Sequence, residues 1–328
     1  MTALMNMLKS WTTPRTPVDK KSARLLTFAS FAIPIFLWCL VSYTPFIWHP
    51  QVEITQPGGV SYFREGSLID KEVFQRERDQ KIAENPQIDI ATLPQGNPAN
   101  PVYLPAPHEV VTALYTAFTT PPKRSSEPWL HESLWHSIQV IAWGFFWAML
   151  FGVPLGILAG TYSAASHLIE PFTEFFRYLP APAFGALAVA ILGIYDAPKI
   201  AIIFIGTFFQ MVLIVATTTR KLNMALVEAS LTLGCKGFRM IRRVVLPGIL
   251  PDLYRDMRIL LGWAWTYLIV AELIGTSSGI TWFITQQARY KNFDNVFAAI
   301  LIIGLIGLIT DMILAQIGKR LFPWHTTK

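Results

Sequence analysis

An uncharged stretch separates Glu132 from Glu170, with no Asp, Glu, Lys or Arg between them. A helix needs about 20 apolar residues to cross the hydrocarbon core of a membrane. The stretch therefore predicts a membrane-spanning helix over about residues 134–160. The overall composition agrees, because only 15% of the 328 residues are charged, whereas soluble domains carry about 25%. We expect an all-α polytopic membrane protein.

Five further apolar runs are long enough to cross a membrane. They lie at about residues 25–44, 167–191, 200–219, 259–276 and 296–317. Lys and Arg concentrate on the cytoplasmic side of membrane proteins. They are dense before the first run and within residues 220–258, where eight basic residues outnumber three acidic ones. Six spans with both chain termini in the cytoplasm satisfy this pattern.

The predicted spans divide the chain into segments. These are a cytoplasmic tail at 1–24, a first transmembrane helix at 25–44, a polar insertion outside the membrane at 45–131, a core of five transmembrane helices at 132–320 and a tail at 321–328. The core includes the cytoplasmic loop at 220–258. Within the insertion we expect one helix near residues 70–81 followed by loop, and then a short amphipathic helix over 104–118.

Two patterns mark the second and third spans. Gly152, Gly156 and Gly160 form GxxxGxxxG, which puts three small residues on one helix face and favours close packing with another helix. Pro180 and Pro182 interrupt the third span, because proline removes a helical hydrogen bond. A broken helix at membrane depth is tolerated where it borders a cavity. The third span is therefore predicted to be irregular.

A basic amphipathic segment, LVEASLTLGCKGFRMIRRVVLP, occupies residues 226–247. Apolar residues at positions 222, 226, 229 and 233 share one helix face, and Gly234 follows where a helix can end in the left-handed conformation. A second, basic helix is expected after this turn, ending at Pro247 and Pro251. Such a segment suits either the surface of an anionic membrane or the docking of a cytoplasmic protein.

The spacing within this segment resembles the EAA loop of ABC-importer permeases. The matching residues are Glu228, Ala229, Ser230, Gly234, Leu246 and Pro247, with Ser230 in place of an alanine and Val244 in place of an isoleucine. Four further strings are similar to the family: LPAPHEV (104–110), the third span with the turn after it, AWTYLIVAELIG (264–275) and GLIGLITD (304–311). They cover about residues 104–320 and indicate the nitrate/taurine/sulfonate subgroup of binding-protein-dependent inner membrane components. The insertion at about 49–103 lies outside the resemblance.

The resemblance implies the type I ABC-importer permease fold in a bacterial inner membrane, with the insertion in the periplasm. It implies import of a small solute by alternating access, for example an anion such as nitrate, bicarbonate or a sulfonate or taurine-like compound. The implied partners are two copies of an ATPase subunit, a second and identical permease copy, a periplasmic or lipid-anchored binding protein and membrane lipid, but no nucleic acid. The six EAA-loop residues would couple to the ATPase.

The sequence itself carries no recognisable catalytic site. It has no GxxxxGK[ST] phosphate-binding loop, and its six histidines are scattered without a metal-binding pattern. No cofactor or metal is therefore expected in this chain, and ATP and Mg would be bound by the partner ATPase.

Polar or broken positions inside the spans are candidates for the translocation path. They are Arg177, Pro180, Pro182, Gly185 and Glu272. The alternative for Arg177 is an ion pair with Glu174 or Glu170, and the alternative for Glu272 is a hydrogen bond between helices. Asp311 is expected to have a structural role.

Two other functions compete with the importer. One is a secondary carrier that works alone, and the other is a membrane scaffold that recruits a cytoplasmic protein. A requirement for ATP hydrolysis by a partner separates the importer from both. The insertion would either enlarge the docking surface for a binding protein, cap the path, or be a solvated decoration.

Overall fold

The computed structural model describes residues 18–44, 47–84, 89, 92–122, 128–274 and 278–324. Its helices are α1 (Lys20–Tyr43), α2 (Lys71–Glu84), α3 (Pro107–Thr119), α4 (Leu130–Thr161), α5 (Ser163–Arg177), α6 (Gly185–Leu192), α7 (Asp196–Arg220), α8 (Met224–Thr232), α9 (Phe238–Ile274), α10 (Ile280–Arg289) and α11 (Phe293–Leu321). Its strands are β1 (Gln51–Gln56), β2 (Leu68–Asp70) and β3 (Gln95–Ala99). The chain divides into two compact units, one formed by residues up to Ala113 with Lys291–Asp294, and one formed by the rest.

The first unit contains α1 and a small sheet. Strand β1 lies in the middle of the sheet and pairs antiparallel with β2 on one side and β3 on the other. Val52 and Ile54 of β1 are buried against Phe63 and Phe74. Helix α2 agrees with the helix expected in this insertion, but the expectation of loop after it was wrong, because β3 follows and pairs with β1. Its strands are short, and β3 (QGNPA) carries a glycine and a proline, which strands generally avoid.

Among the residues that the structure describes, five helices are long and apolar enough to cross a membrane, namely α1, α4, α7, α9 and α11. A sixth span is formed if α5 and the helical residues Ala181–Leu192 are counted together. This agrees with the six predicted spans. Most observed helices extend a few residues beyond the apolar run, because polar residues at the membrane surface can continue a helix.

The third span is broken at the predicted place. Helix α5 ends at Arg177, residues Ala181–Phe184 form a short 3-10 helix, and α6 follows. The two halves are bent by 87°. Pro180 is extended in backbone conformation and begins the new direction, because proline cannot donate the hydrogen bond that would continue α5.

The fifth span begins much earlier than predicted. Pro247 and Pro251 do not end the basic helix, since both lie inside the continuous helix α9. One π turn at Ile241–Val245 precedes them, and the Leu246 N–H donates to the Ile241 carbonyl five residues back. A π turn shifts the hydrogen-bond register, which lets the helix accommodate a proline nearby. The basic stretch and the fifth span are therefore one element.

The glycine pattern of α4 packs against α7. A Cβ atom on Gly156 would lie 2.6 Å from the Val215 Cβ and 2.8 Å from the Val212 carbonyl oxygen. Gly152 and Gly160 face Met211 and Thr219 of the same helix in the same way. The close approach of α4 and α7 forms the centre of the second unit, and it agrees with the predicted packing role.

We expect Gly156→Val to destabilise the protein by about 1–3 kcal/mol, because the new side chain overlaps α7 in a packed interface. The measurement is the thermal unfolding midpoint of the purified protein in detergent. Ala142→Val is the matched control, because Ala142 is an exposed residue of the same helix. Equal midpoints for the two variants would show that α4 and α7 do not pack this closely.

Candidate functional site

Helix α8 and the turn after it have well-defined ends. The Asn223 side chain accepts a hydrogen bond from the Ala225 N–H and caps the start of α8. At the end, the Gly234 N–H donates to Leu231 and the Cys235 N–H donates to Ser230, while Gly234 has a φ of +78°. These two bonds form a Schellman motif, in which glycine is favoured because L-residues rarely adopt positive φ. The predicted turn at Gly234 is confirmed.

An apolar surface of this region is not buried by the described chain. We call residues Met224–Pro247 the docking segment. Leu233 is 86% exposed and Phe238 is 75% exposed, and Leu226 and Leu231 are also exposed. Neighbouring exposed apolar side chains of this kind mark a site of interaction with a protein or a membrane.

The opposite side of the docking segment is anchored in the core. Met240 and Val245 are buried together with Ile249 of α9 and Val215 of α7. Two residues depart from the EAA pattern: Val244 lies on this buried side, and Ser230 forms a hydrogen bond within its own helix. Val244 packs on the same core, and the Ser230 hydroxyl donates to the Val227 carbonyl at 2.7 Å. Neither substitution alters the exposed surface.

Charged side chains surround the exposed apolar residues. Glu228 is exposed on α8, and the basic residues Lys236, Arg239, Arg242 and Arg243 are exposed after the turn. The docking segment therefore presents an apolar patch with a positive border. Such a surface suits either a docked protein or an anionic membrane.

A second group of polar residues lies at the other end of α9. We call His136, Ser137, Asp196, Lys199, Glu272 and Ser278 the polar cluster. The Lys199 side chain is completely buried, and its ammonium donates to Asp196 Oδ1 at 2.9 Å and to Ser278 Oγ at 2.6 Å. The second carboxylate oxygen of Asp196, Oδ2, lies 3.0 Å from His136 Nε2 and accepts its hydrogen bond. These contacts join α4, α7 and the residues before α10.

Glu272 completes the cluster from α9. It is buried, and its carboxylate accepts hydrogen bonds from Ser137 Oγ at 2.5 Å and from the Thr281 N–H at 2.8 Å. Ser137 Oγ in turn accepts from the Ile280 N–H at 2.9 Å. A Cβ on Gly279 would lie 2.0 Å from Glu272 Oε1, so this position has room only for glycine. The geometry supports the expectation of a hydrogen bond between helices.

Sequence reasoning missed most of this cluster. The fourth span is predicted to begin at about residue 200, whereas Asp196 and Lys199 lie in the first turn of α7. A signal was present, because an acidic and a basic residue three positions apart at the start of an apolar run predict a pair on one helix face. Ser137 and Ser278 gave no signal, since serine is common in membrane helices as a packing residue.

The residues predicted for the translocation path have separate surroundings. Arg177 is exposed, and its guanidinium donates to the Tyr178 hydroxyl at 2.8 Å and lies over the Tyr178 ring. Pro180 is exposed and Pro182 is partly buried, whereas Gly185 is buried against Ile274 of α9. The alternative ion pair of Arg177 with Glu174 or Glu170 is wrong for the described residues, because the Arg177 guanidinium contacts Tyr178 and Glu170 pairs with Arg220.

Asp311 lies within α11 and has a defined partner. Its two carboxylate oxygens accept from Arg258 Nη2 of α9 at 2.8 and 2.9 Å, and Arg258 Nε adds a third bond at 3.1 Å. A bidentate pair inside a spanning helix neutralises two charges that are costly in lipid. This agrees with the structural role expected for Asp311.

The comparisons with known proteins agree on one family. A sequence model described as "Binding-protein-dependent transport system inner membrane component" matches residues 152–323. The taurine transport system permease protein of Escherichia coli strain K12 is 29% identical over 69% of this chain and 82% of its own length. A putative aliphatic sulfonates transport permease protein of Bacillus subtilis strain 168 is 31% identical over 58% of this chain and 69% of its own.

A solved structure shares the fold. It is an inward-facing conformation of the MetNI methionine ABC transporter, with a TM-score of 0.52 and 19% sequence identity. The similarity covers 60% of this chain and 96% of the other. The family match itself covers just over half of the 328 residues. The chain therefore belongs to the binding-protein-dependent transport system inner membrane components, the membrane-spanning permease subunits of ABC importers.

Proposed function

We propose that this permease imports a small organic sulfonate, using ATP that is hydrolysed by a separate subunit docked on residues Met224–Pro247. The observation that carries the proposal is the exposed apolar patch around Leu233 and Phe238 with its positive border. The patch coincides with the family's EAA pattern. The docked subunit would bind ATP and Mg, and two copies of it would serve two permease copies.

The substrate class rests on the relatives. Two of them are named for taurine and for aliphatic sulfonates, which are small compounds with a sulfonate group. Arg177 is our candidate for contact with the anion along the path, because its guanidinium is exposed beside the broken third span. A binding protein on the outer side, held in the periplasm or by a lipid anchor, would deliver the solute.

The second permease copy is supported by a groove between α9 and α11. It has a volume of about 340 Å³ and is lined by Gly262, Gly304 and Gly307. The described residues leave open the space in which a Cβ of these glycines would lie. Small residues of this kind let another helix approach closely within a membrane. We propose an identical copy as that neighbour.

We propose a separate role for the polar cluster, at the outer end of the path. It joins α4, α7, α9 and the start of α10 at the end of the bundle opposite to the docking segment. With the chain termini in the cytoplasm, this is the outer end. We propose that the cluster holds the path closed to the outside and must separate when the permease opens outward.

The test is uptake into membrane vesicles that contain the permease together with its ATPase and binding protein. We expect uptake of taurine or ethanesulfonate that requires ATP and the binding protein, and loss of uptake when the ATPase is inactivated. Uptake without ATP would instead identify a secondary carrier. Retention of the ATPase on the permease without any solute uptake would identify a scaffold.

A further inference from the structure

Two charged side chains of α5 are not used by the fold. Glu174 and Arg177 are both exposed, and in the part of the chain that the structure describes neither forms an ion pair. They lie three positions apart, with Tyr178 one position later, so the three side chains share one face of the helix end. The Arg177 guanidinium contacts Tyr178 rather than Glu174, because it donates to the Tyr178 hydroxyl at 2.8 Å.

Ring contacts place these charges near the middle of the membrane. Phe172 and Phe176 lie on either side of Glu174 in the sequence, and their rings are 6.3 and 5.1 Å from the Phe209 ring. Helix α7 has 25 residues and crosses the membrane, and Phe209 is close to its midpoint. The end of α5 therefore lies at the depth of the centre of α7.

Charged side chains at this depth do not face lipid. A charge near the bilayer centre is costly, so such residues face either the interior of the bundle or a water-filled cavity. Glu174 and Arg177 do not enter the bundle of this chain, because both are exposed. Their face of α5 therefore borders water within the membrane, which in a permease is the translocation path. The 87° bend that follows agrees, since a broken helix is tolerated at such a cavity.

The two charges offer different chemistry to a solute. A guanidinium has five N–H donors, and the contact with Tyr178 uses one of those of Arg177. The Tyr178 hydroxyl accepts that bond, and its own hydrogen has no acceptor among the described residues. Arg177 and Tyr178 therefore offer donors and a positive charge, which suit a sulfonate. One turn away, the Glu174 carboxylate offers acceptors and a negative charge, which suit an ammonium.

We propose that this face of α5 binds a zwitterionic aminosulfonate on its way through the membrane, with the sulfonate on Arg177 and Tyr178 and the ammonium on Glu174. The inference rests on the import of sulfonates proposed above and narrows the solute to one that also carries an ammonium group. Taurine is such a compound, with a short methylene chain between its two charges. A sulfonate without an ammonium would leave the Glu174 carboxylate without a partner. The second permease copy would form the opposite wall of the path.

The experiment compares uptake of taurine with uptake of ethanesulfonate, which lacks the ammonium group, in vesicles that contain the permease with its ATPase and binding protein. Uptake by each variant is divided by uptake of the same solute by the native protein, so that the preference of the binding protein cancels. Glu174→Gln should lower uptake of taurine by about fivefold or more relative to uptake of ethanesulfonate, because the amide has no charge to pair with the ammonium. Arg177→Gln should lower uptake of both solutes by about tenfold or more. Tyr178→Phe should lower both by a smaller factor.

Glu72→Gln is the matched control, because it removes an exposed carboxylate from α2 in the insertion and should leave both uptake rates unchanged. A purely structural role of Glu174 would lower uptake of the two solutes equally, and that result would overturn the proposal. So would native uptake of both solutes by Arg177→Gln. If the native permease imports neither sulfonate, the proposed function fails and the aminosulfonate site fails with it. If it imports both and Glu174→Gln does not separate them, the function stands and this site alone is wrong.

Discussion

Leu233→Asp is expected to release the ATPase from the permease and to lower uptake at least thirtyfold. The Leu233 side chain is 86% exposed, so the change removes almost no contact within this chain. A central apolar contact of a protein interface is worth about 2 kcal/mol or more, and a buried carboxylate adds a desolvation cost. The measurement is co-purification of the ATPase in mild detergent together with uptake in vesicles.

Two variants make this prediction specific. Ile82→Asp is the same kind of change at an exposed position of α2 in the insertion, and it should leave ATPase retention unchanged. Gly234→Ala tests the turn, because nothing lies within 4 Å of the new Cβ and the cost comes from its φ of +78°. That cost is about 1–2 kcal/mol. Full retention of the ATPase by Leu233→Asp would assign the apolar patch to lipid instead.

Asp196→Asn is expected to destabilise the permease by about 3 kcal/mol and to abolish uptake. It removes the negative charge closest to the fully buried Lys199, and breaking a buried ion pair by one partner costs about 3–5 kcal/mol. We expect the loss at the lower end of this range, because the Ser278 hydroxyl still accepts a hydrogen bond from the Lys199 ammonium. The measurement is the thermal unfolding midpoint in detergent, followed by uptake.

The two partners of this pair should behave differently. Lys199→Met leaves Asp196 unpaired, but the Asp196 side chain is 47% exposed and keeps its contact with His136, so the loss should be smaller. The double variant with both substitutions should recover part of the stability lost in Asp196→Asn, which is a double-mutant-cycle test of coupling. Additive effects would show that the pair is not coupled.

A surface pair provides the matched control. Asp252 and Arg255 also lie three positions apart and are 3.0 Å apart, but both side chains are substantially exposed. Such pairs contribute about 0–1 kcal/mol. Asp252→Asn should therefore change the unfolding midpoint little. A loss equal to that of Asp196→Asn would mean that burial of Lys199 is not the cause.

Sequence patterns were most informative where one physical requirement dominates. The need to bury about 20 apolar residues in lipid located the spans, and the need for positive φ located the turn at Gly234. Pro247 and Pro251 misled the prediction, because a π turn can absorb a proline and this adjustment has no sequence signature.

The insertion and the polar cluster show a different limit. The sheet depends on pairing of β1 with strands that are weak by themselves, and such pairing is not visible in local periodicity. The cluster joins Ser137 to Glu272 and Lys199 to Ser278, which are far apart in sequence. Contacts of this kind arise from tertiary packing, so a single sequence without relatives does not reveal them.

Helix α9 has a mechanical consequence. Its 37 residues run from Phe238 to Ile274, a length of about 55 Å, with one π turn at Ile241–Val245. It has the docking segment at one end and Glu272 near the other. Beyond the π turn the helix is α-helical from Leu246 to Ile274, so a shift that passes this turn is transmitted along the helix to Glu272. The conformational change of the ATPase and the separation of the polar cluster would then be coupled through one helix.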